Sequence, residues 1–208
     1  MVEKIQANRR TLMTSASAML IASTSNLTLA QAKRRATPSQ TEGPYYPVKE
    51  PRDADFDLLK NGDRSYSKGR ASWVEGVVTD LDGRPLNGGI IEIWQCDENG
   101  HYDHPSDGSK IDPTFQGFGR VRLNAEGEFR FRTIRPSPYV GRTPHIHVKI
   151  FLGSKELLTT QLYVADDPGN AKDGIWRRLS ESDRAAVTSA FVPVADGLRA
   201  QYTLSVRV

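Results

Sequence analysis

From Ser72 to the C-terminus, apolar and polar residues alternate in short runs, most of them closed by Asn, Asp, Gly or Pro. A period of two marks a strand with one face in a core. Trp73 to Thr79 alternates and is followed by the Asp82-Gly83-Arg84-Pro85 turn. Gly89 to Trp94, Gly119 to Leu123 and Glu128 to Ile134 come next, the last two joined by Asn124-Ala125-Glu126-Gly127. His145 to Leu152, Leu157 to Tyr163 and Gln201 to Val208 close the set. About seven short strands with this turn chemistry predict an all-β fold, an antiparallel β-sandwich with long loops. One short C-terminal helix is expected, with Ser180 as its cap and Asp183 three residues on, ahead of Ala185 to Phe191.

Upstream the pattern is different. Residues 33–70 show neither period, and prolines at 38, 44 and 47 predict an extended N-terminal arm. Asn61-Gly62-Asp63 marks a turn within it, and the sandwich domain is expected over 71–208. Residues 1–32 carry Arg9-Arg10, then a weakly apolar Ser-, Thr- and Ala-rich run from Leu12 to Leu29, then Ala30-Gln31-Ala32. Twin arginines, modest hydrophobicity and a small-x-small end predict a twin-arginine export signal, and so a periplasmic or secreted protein. The competing expectation is a disordered or helical tail. No later run reaches the ~18–20 apolar residues that span a bilayer, so the mature chain is expected to be soluble, with no membrane partner.

Composition narrows the choice. At 208 residues one domain is the default, and 38% hydrophobic with 25% charged residues is ordinary for a globular chain. Two of the three net positive charges come from residues 1–32, where Lys4, Arg9 and Arg10 outweigh Glu3. What remains is nearly neutral, which argues against a nucleic-acid partner. Cys96 is the only cysteine, so neither an intrachain disulfide nor a thiolate cluster can form. It reads as a small buried hydrophobe. The sequence leaves room for a homo-oligomer.

The candidate chemistry lies in Tyr139-Val140-Gly141-Arg142-Thr143-Pro144-His145-Ile146-His147. On a strand, His145 and His147 point to one face about 6.5–7 Å apart, while Ile146, Val148 and Ile150 point to the core. Tyr102 lies on the long loop after Trp94, in Asn99-Gly100-His101-Tyr102-Asp103-His104. Imidazole and phenolate suit a redox-active transition metal better than Mg²⁺ or Ca²⁺, and a trivalent cation would pull a phenol pKa well below ~10. Two phenolates offset two of the charges of Fe³⁺. Other readings stay open: a Zn²⁺ or Cu²⁺ site on His101, His104, His145 and His147, or a secreted sandwich acting as a non-catalytic binding module. His101 and His104 read better as solvated loop residues, and Tyr45 and Tyr46 as either pocket residues or anchors of the arm.

Trp94-Gln95-Cys96, Asn99-Gly100-His101-Tyr102, Phe118-Gly119-Arg120, Phe131 to Tyr139, Arg142 to His147 and Thr160 to Tyr163 together resemble the intradiol ring-cleavage dioxygenases, most nearly those of the protocatechuate 3,4-dioxygenase type. The likeness runs from about Thr37 to the C-terminus. It implies a prealbumin/transthyretin-like sandwich and a non-haem Fe(III) held by Tyr102, Tyr139, His145 and His147. It implies a catecholic substrate and O₂, with ring opening between the two hydroxylated carbons to a cis,cis-muconate-type product. Tyr139 would leave the iron as substrate binds, Arg142 would stabilise charge on the substrate, and Gln161 would line the pocket. Three features depart from the family. The Tyr139–Arg142 segment is short and lacks a tryptophan, no long helical N-terminal region is present, and an export signal is unusual for aromatic degradation.

Overall fold

The computed structural model describes Met1 and residues 34–208, so the export-signal reading of residues 1–32 lies outside the described residues. The strands are β1 (Lys60–Asn61), β2 (Arg64–Ser65), β3 (Ala71–Asp80), β4 (Ile90–Trp94), β5 (Phe118–Arg122) and β6 (Glu128–Ile134). They continue as β7 (His145–Leu152), β8 (Lys155–Val164), β9 (Thr188–Ser189), β10 (Val192–Val194) and β11 (Gly197–Val206), with one α-helix, α1 (Glu181–Val187). One sheet has the order β10-β11-β3-β6 and the other β5-β4-β7-β8-β9, with β1 and β2 a separate hairpin.

The two sheets form the expected sandwich, and alternation fills its interior. Val74 and Val78 of β3, Phe129 and Phe131 of β6, and Ala200, Tyr202 and Leu204 of β11 turn inward. They meet Ile91 and Ile93 of β4 and Ile146, Val148 and Ile150 of β7 in one buried cluster. Each such side chain contributes about 1.5–3 kcal/mol of transfer free energy. The β5–β6 turn shows why its residues are there. Asn124 Oδ1 accepts from the amides of Glu126 and Glu128, and Gly127 sits at φ +73° with Val78 O where a Cβ would be.

Three details differ from the sequence expectation. Most ladders are antiparallel, but β11 runs parallel to β3 and β9 parallel to β8. A long connection from β8, through two 3₁₀ turns, α1 and β9, ends in a tight β10–β11 hairpin that lays β11 beside β3, a strand distant in sequence. Ser180 Oγ accepts from Asp183 N at 3.1 Å as a helix cap should. The helix stops at Val187 rather than Phe191, because Thr188 and Ser189 pair with Tyr163 and Val164 of β8. The last strand starts at Gly197, four residues before the expected Gln201.

Residues 34–59 hold no strand and are pinned by backbone bonds. Thr37 N donates to Ser205 O, Gln40 N to Thr159 O, and Ala54 O and Phe56 O accept from Arg120 N and Arg132 N. The segment thus passes the ends of β11 and β8, crosses the outer face of the five-stranded sheet, and leaves along β5 and β6. Among the described residues, no helix is long and apolar enough to cross a membrane.

Gly76 sits in mid-β3 where a Cβ would lie 1.9 Å from Tyr202 O of β11. Gly76→Ala should therefore cost about 3 kcal/mol, because backbone must move in a packed ladder. Urea unfolding of both proteins measures it, and a difference within about 0.5 kcal/mol would contradict the close approach.

Candidate metal centre

One face of an antiparallel sheet usually meets water and carries polar side chains. Here the half of the five-stranded sheet's outer face that carries His145 and His147 is dry. Register sets the rows across it: Phe118, Trp94, His147 and Gln161; then Arg120, Glu92, Lys149 and Thr159; with His145 beside Tyr163. Trp94, His145 and His147 are each 1% exposed, and Gln161 and Tyr163 are fully buried. The cover is the arm and the 95–117 loop. Tyr46 donates to Glu92 Oε2 at 2.8 Å, Lys149 Nζ lies 4.0 Å from the Tyr46 ring centre, and Lys149 pairs with Glu42. Arg120 binds Glu92 from the sheet and Glu50 from the arm. Every buried charge in this row has a partner, as desolvated charges require.

Beneath the cover four donors converge. His145 Nδ1–H donates to Thr143 O at 2.7 Å, which leaves Nε2 as a bare acceptor. That Nε2 lies 3.1 Å from His147 Nε2, and the His147 ring stacks on Trp94 with centroids 4.8 Å apart and planes 11° apart. Tyr102 stacks on Tyr45 at 4.6 Å and meets Tyr139 edge-on at 5.4 Å and His147 at 5.9 Å. Tyr139 lies 5.4 Å from the His145 ring. The loop fixes Tyr102 from behind: Asp107 Oδ2 accepts its amide, and Asp97 accepts the amides of Asn99, His101 and Asp112.

The buried hydroxyl of Tyr102, beside these rings, has no hydrogen-bond partner. Orphans of this kind are rare in folded proteins and call for an explanation. Two nitrogens each ~2.1 Å from one cation at about a right angle would lie about 3 Å apart, so the His145–His147 spacing suits a shared metal ion. The donor set fits as well. Burial, helped by the nearby Arg142 charge, holds His145 down at about 3 and His147 well below the ordinary imidazole range, so both stay neutral and able to ligate a metal. Burial also pushes the Tyr102 phenol well above its usual range and raises the less buried Tyr139, with the Arg142 charge opposing the rise at both. A multivalent cation reverses that direction and draws the phenolate form.

Arg142 stands beside the cluster, three-quarters tied down. Its Nε donates to Asp173 Oδ2 at 2.8 Å, its Nη2 to Gln161 Oε1, and its Nη1 reaches the Tyr139 hydroxyl at 3.4 Å. Gln161 in turn accepts from Tyr163 and donates to Thr41 O of the arm. All six residues singled out in the sequence, Tyr102, Tyr139, Arg142, His145, His147 and Gln161, are therefore in one place.

The family model described as Dioxygenase matches residues 41–191, nearly three-quarters of the chain and all six of these positions. The chain belongs to the intradiol ring-cleavage dioxygenase family. It is 35% identical over 161 residues to the protocatechuate 3,4-dioxygenase beta chain of Burkholderia cepacia, covering 71% of this chain and 68% of that one. It is 31% identical to catechol 1,2-dioxygenase of Acinetobacter baylyi over 64% of this chain, but spans only 48% of that relative's length. Among solved structures, the dioxygenase domain of a dioxygenase carbohydrate-binding protein fusion from Streptomyces sp. SirexAA-E superimposes with a TM-score of 0.67. It shares 30% identity over 84% of this chain and 99% of that one.

Other expectations fare differently within this intradiol scaffold. His101 and His104 do not join His145 and His147 in a metal cluster. His101 Nδ1 faces Asp107 at 3.2 Å, and His104 Nδ1 accepts from Ser106 N. Among the described residues, no three His, Cys, Asp or Glu side chains gather as a metal site, because two of the donors here are phenols. His104 is also buried rather than solvated, its ring edge-on to Tyr45. Cys96 is fully buried, its thiol pushed up to about 12 by burial and directed at Ser137 O. Tyr45 and Tyr46 do both jobs that were open to them, anchoring the arm and roofing the site. Sequence reasoning missed Asp173, Glu92 and Lys149. A buried strand carrying charges at alternate positions was the available signal for the last two.

The neutral imidazoles give a pH signature in protein stripped of metal. Unfolded histidine takes a proton near pH 6.5, whereas folded His145 resists until about 3. Between those values the unfolded chain binds more protons, so stability falls as pH falls. Each of the two histidines should contribute a loss of about 2 kcal/mol between about pH 7.5 and about pH 5. Urea unfolding of the stripped protein and of a His145→Gln/His147→Gln variant isolates this term. Parallel pH profiles would mean that the imidazoles are not buried as neutral groups.

Proposed function

We propose that this protein is a non-haem Fe(III) dioxygenase that opens catecholic rings between their two hydroxylated carbons with O₂, giving cis,cis-muconate-type products. One observation carries the reading: two buried imidazole nitrogens 3.1 Å apart share a dry pocket with two phenols and one arginine. Named relatives that act on protocatechuate, catechol and hydroxyquinol support the substrate class.

Tyr102, Tyr139, His145 and His147 would hold the iron. Ferric iron, when bound, supplies a strongly electron-withdrawing centre that makes an electron-rich catecholate reactive towards O₂. The chain does the rest. Tyr102 is locked by the Tyr45 stack and by Asp107 behind its amide, so it stays. Tyr139 is half-buried on a tight turn, with Arg142 N donating to Tyr139 O and Val140 wholly exposed at the tip. Of the two phenols, Tyr139 is the one that can give way to substrate. Arg142 Nη1 lies beside that hydroxyl, placed to meet negative charge that develops where Tyr139 withdraws. Arginine suits this because its charge persists and its donors keep a fixed fork. The roof excludes water, which strengthens each of these interactions.

A cleft of about 390 Å³ opens beside Tyr102 and Trp94, bounded by Tyr45, Pro47, Val48 and Phe118. Apolar walls with a few convergent polar groups fit a small aromatic ligand. Twin-arginine export is part of this proposal, since that route carries folded protein and would let iron be loaded first.

Oxygen uptake with a panel of catechols, followed by product absorption, tests the reaction. Muconate-type products are expected, and semialdehydes would show cleavage outside the hydroxyls. Tyr139→Phe should shift the visible absorption and lower turnover at least about tenfold while much of the metal is retained. An unchanged spectrum would remove Tyr139 from the ligand set. Arg142→Ala should lower turnover about 10²–10³-fold with the colour intact, and bleaching would point to a structural role instead.

A further inference from the structure

Asp173 is wholly buried on the loop after β8, and every lone pair it can use is engaged. Oδ1 accepts from the amides of Ile175 and Trp176 at 2.8 and 3.0 Å. Oδ2 accepts from Arg142 Nε at 2.8 Å and from Thr143 N at 3.0 Å. One carboxylate therefore grips both the guanidinium and the backbone that leads, two residues later, into His145. Burial, the largest single effect, would raise its pKa, but the Trp176 and Thr143 amides and Arg142 together hold it below the usual carboxylate range.

Without that grip Arg142 would have little reason to stay. Its side chain is 14% exposed, and a guanidinium so desolvated needs a counter-charge. Gln161 supplies a dipole on Nη2 but no charge. The carboxylate lies on the Nε edge and the amide on the Nη2 edge, so the planar fork cannot rotate, and Nη1 is left towards the Tyr139 hydroxyl.

We propose that Asp173 is a positioning residue, which fixes the Arg142 fork so that Nη1 faces the place where substrate charge develops. This rests on the reading of Arg142 as the charge-stabilising group. Asp173 does not touch substrate. It acts through Arg142, and through Thr143 N it also steadies the entry to β7.

Asp173→Asn keeps the shape, and keeps an oxygen for Ile175 and Trp176, but sets an NH₂ group against Arg142. On catechol, kcat should fall at least about tenfold with KM changed less than about threefold, and with the visible absorption unchanged. In an Arg142→Ala background, the same substitution should cost less than about twofold, since the residue it acts through is gone. Asp173→Glu, which keeps the charge, should recover part of the loss. Equal cost in both backgrounds would overturn the proposal and leave Asp173 as the cap of the 175–178 turn. The anchor can also be read without substrate or turnover. In ¹⁵N spectra of the wild-type protein, the side-chain Nε–H signal that disappears in Arg142→Ala should exchange slowly and lie apart from the other arginines. An averaged, fast-exchanging signal would overturn the proposal even if Asp173→Asn failed to fold. A slow signal in a protein that turns over no catechol would uphold the anchor while refuting the reaction.

Discussion

The site depends on the removal of water from one sheet face. A strand that reads His-x-His on its outer side would ordinarily present two solvated imidazoles. The arm crosses that face and the 95–117 loop closes it, so the imidazoles, the phenols and one guanidinium share a desolvated space. Burial keeps the imidazoles neutral and leaves the Tyr102 hydroxyl orphaned, a costly state for a folded protein unless a cation completes it. What holds the roof is a row of ion pairs and aromatic contacts, Glu42–Lys149, Tyr46–Glu92 and Glu92–Arg120–Glu50. The fold below it serves as a flat, rigid platform.

Within that space the two phenols are not equivalent. Tyr102 is stacked and pinned at its amide, whereas Tyr139 sits on an exposed turn next to the only strong positive charge in the cluster. The proposed iron site, if it is to admit a chelating substrate, needs one firm phenol and one that can yield. Asp173 and Gln161 hold the arginine from two sides, so its position does not depend on its long side chain finding one rotamer among many.

The strands of the sandwich and the ligand spacing were legible because each is a local pattern: alternation, turn residues, and His-x-His in register with Tyr139 and Arg142. What stayed hidden is non-local. Thr188 pairs with Tyr163 and ends the helix early, and β11 runs parallel to β3, far away in sequence; neither pairing has a period in the sequence. Asp173 is an ordinary loop aspartate until the fold brings it against Arg142, 31 residues away in sequence. His104 looked solvated because its neighbours are polar, yet Tyr45, from the far end of the arm, covers it. The shared spacing with the intradiol dioxygenases singled out six residues that the fold brings together, and the geometry added how Tyr102 is pinned and what holds the arginine.

The central claim is a centre of two phenolates and two imidazoles holding ferric iron. The most direct measurement is metal content together with visible absorption on the protein purified after growth in iron-replete medium. Such a centre requires about one iron per chain and a burgundy colour from tyrosinate-to-iron charge transfer, lost on reduction or chelation. A colourless protein with one zinc per chain would contradict it.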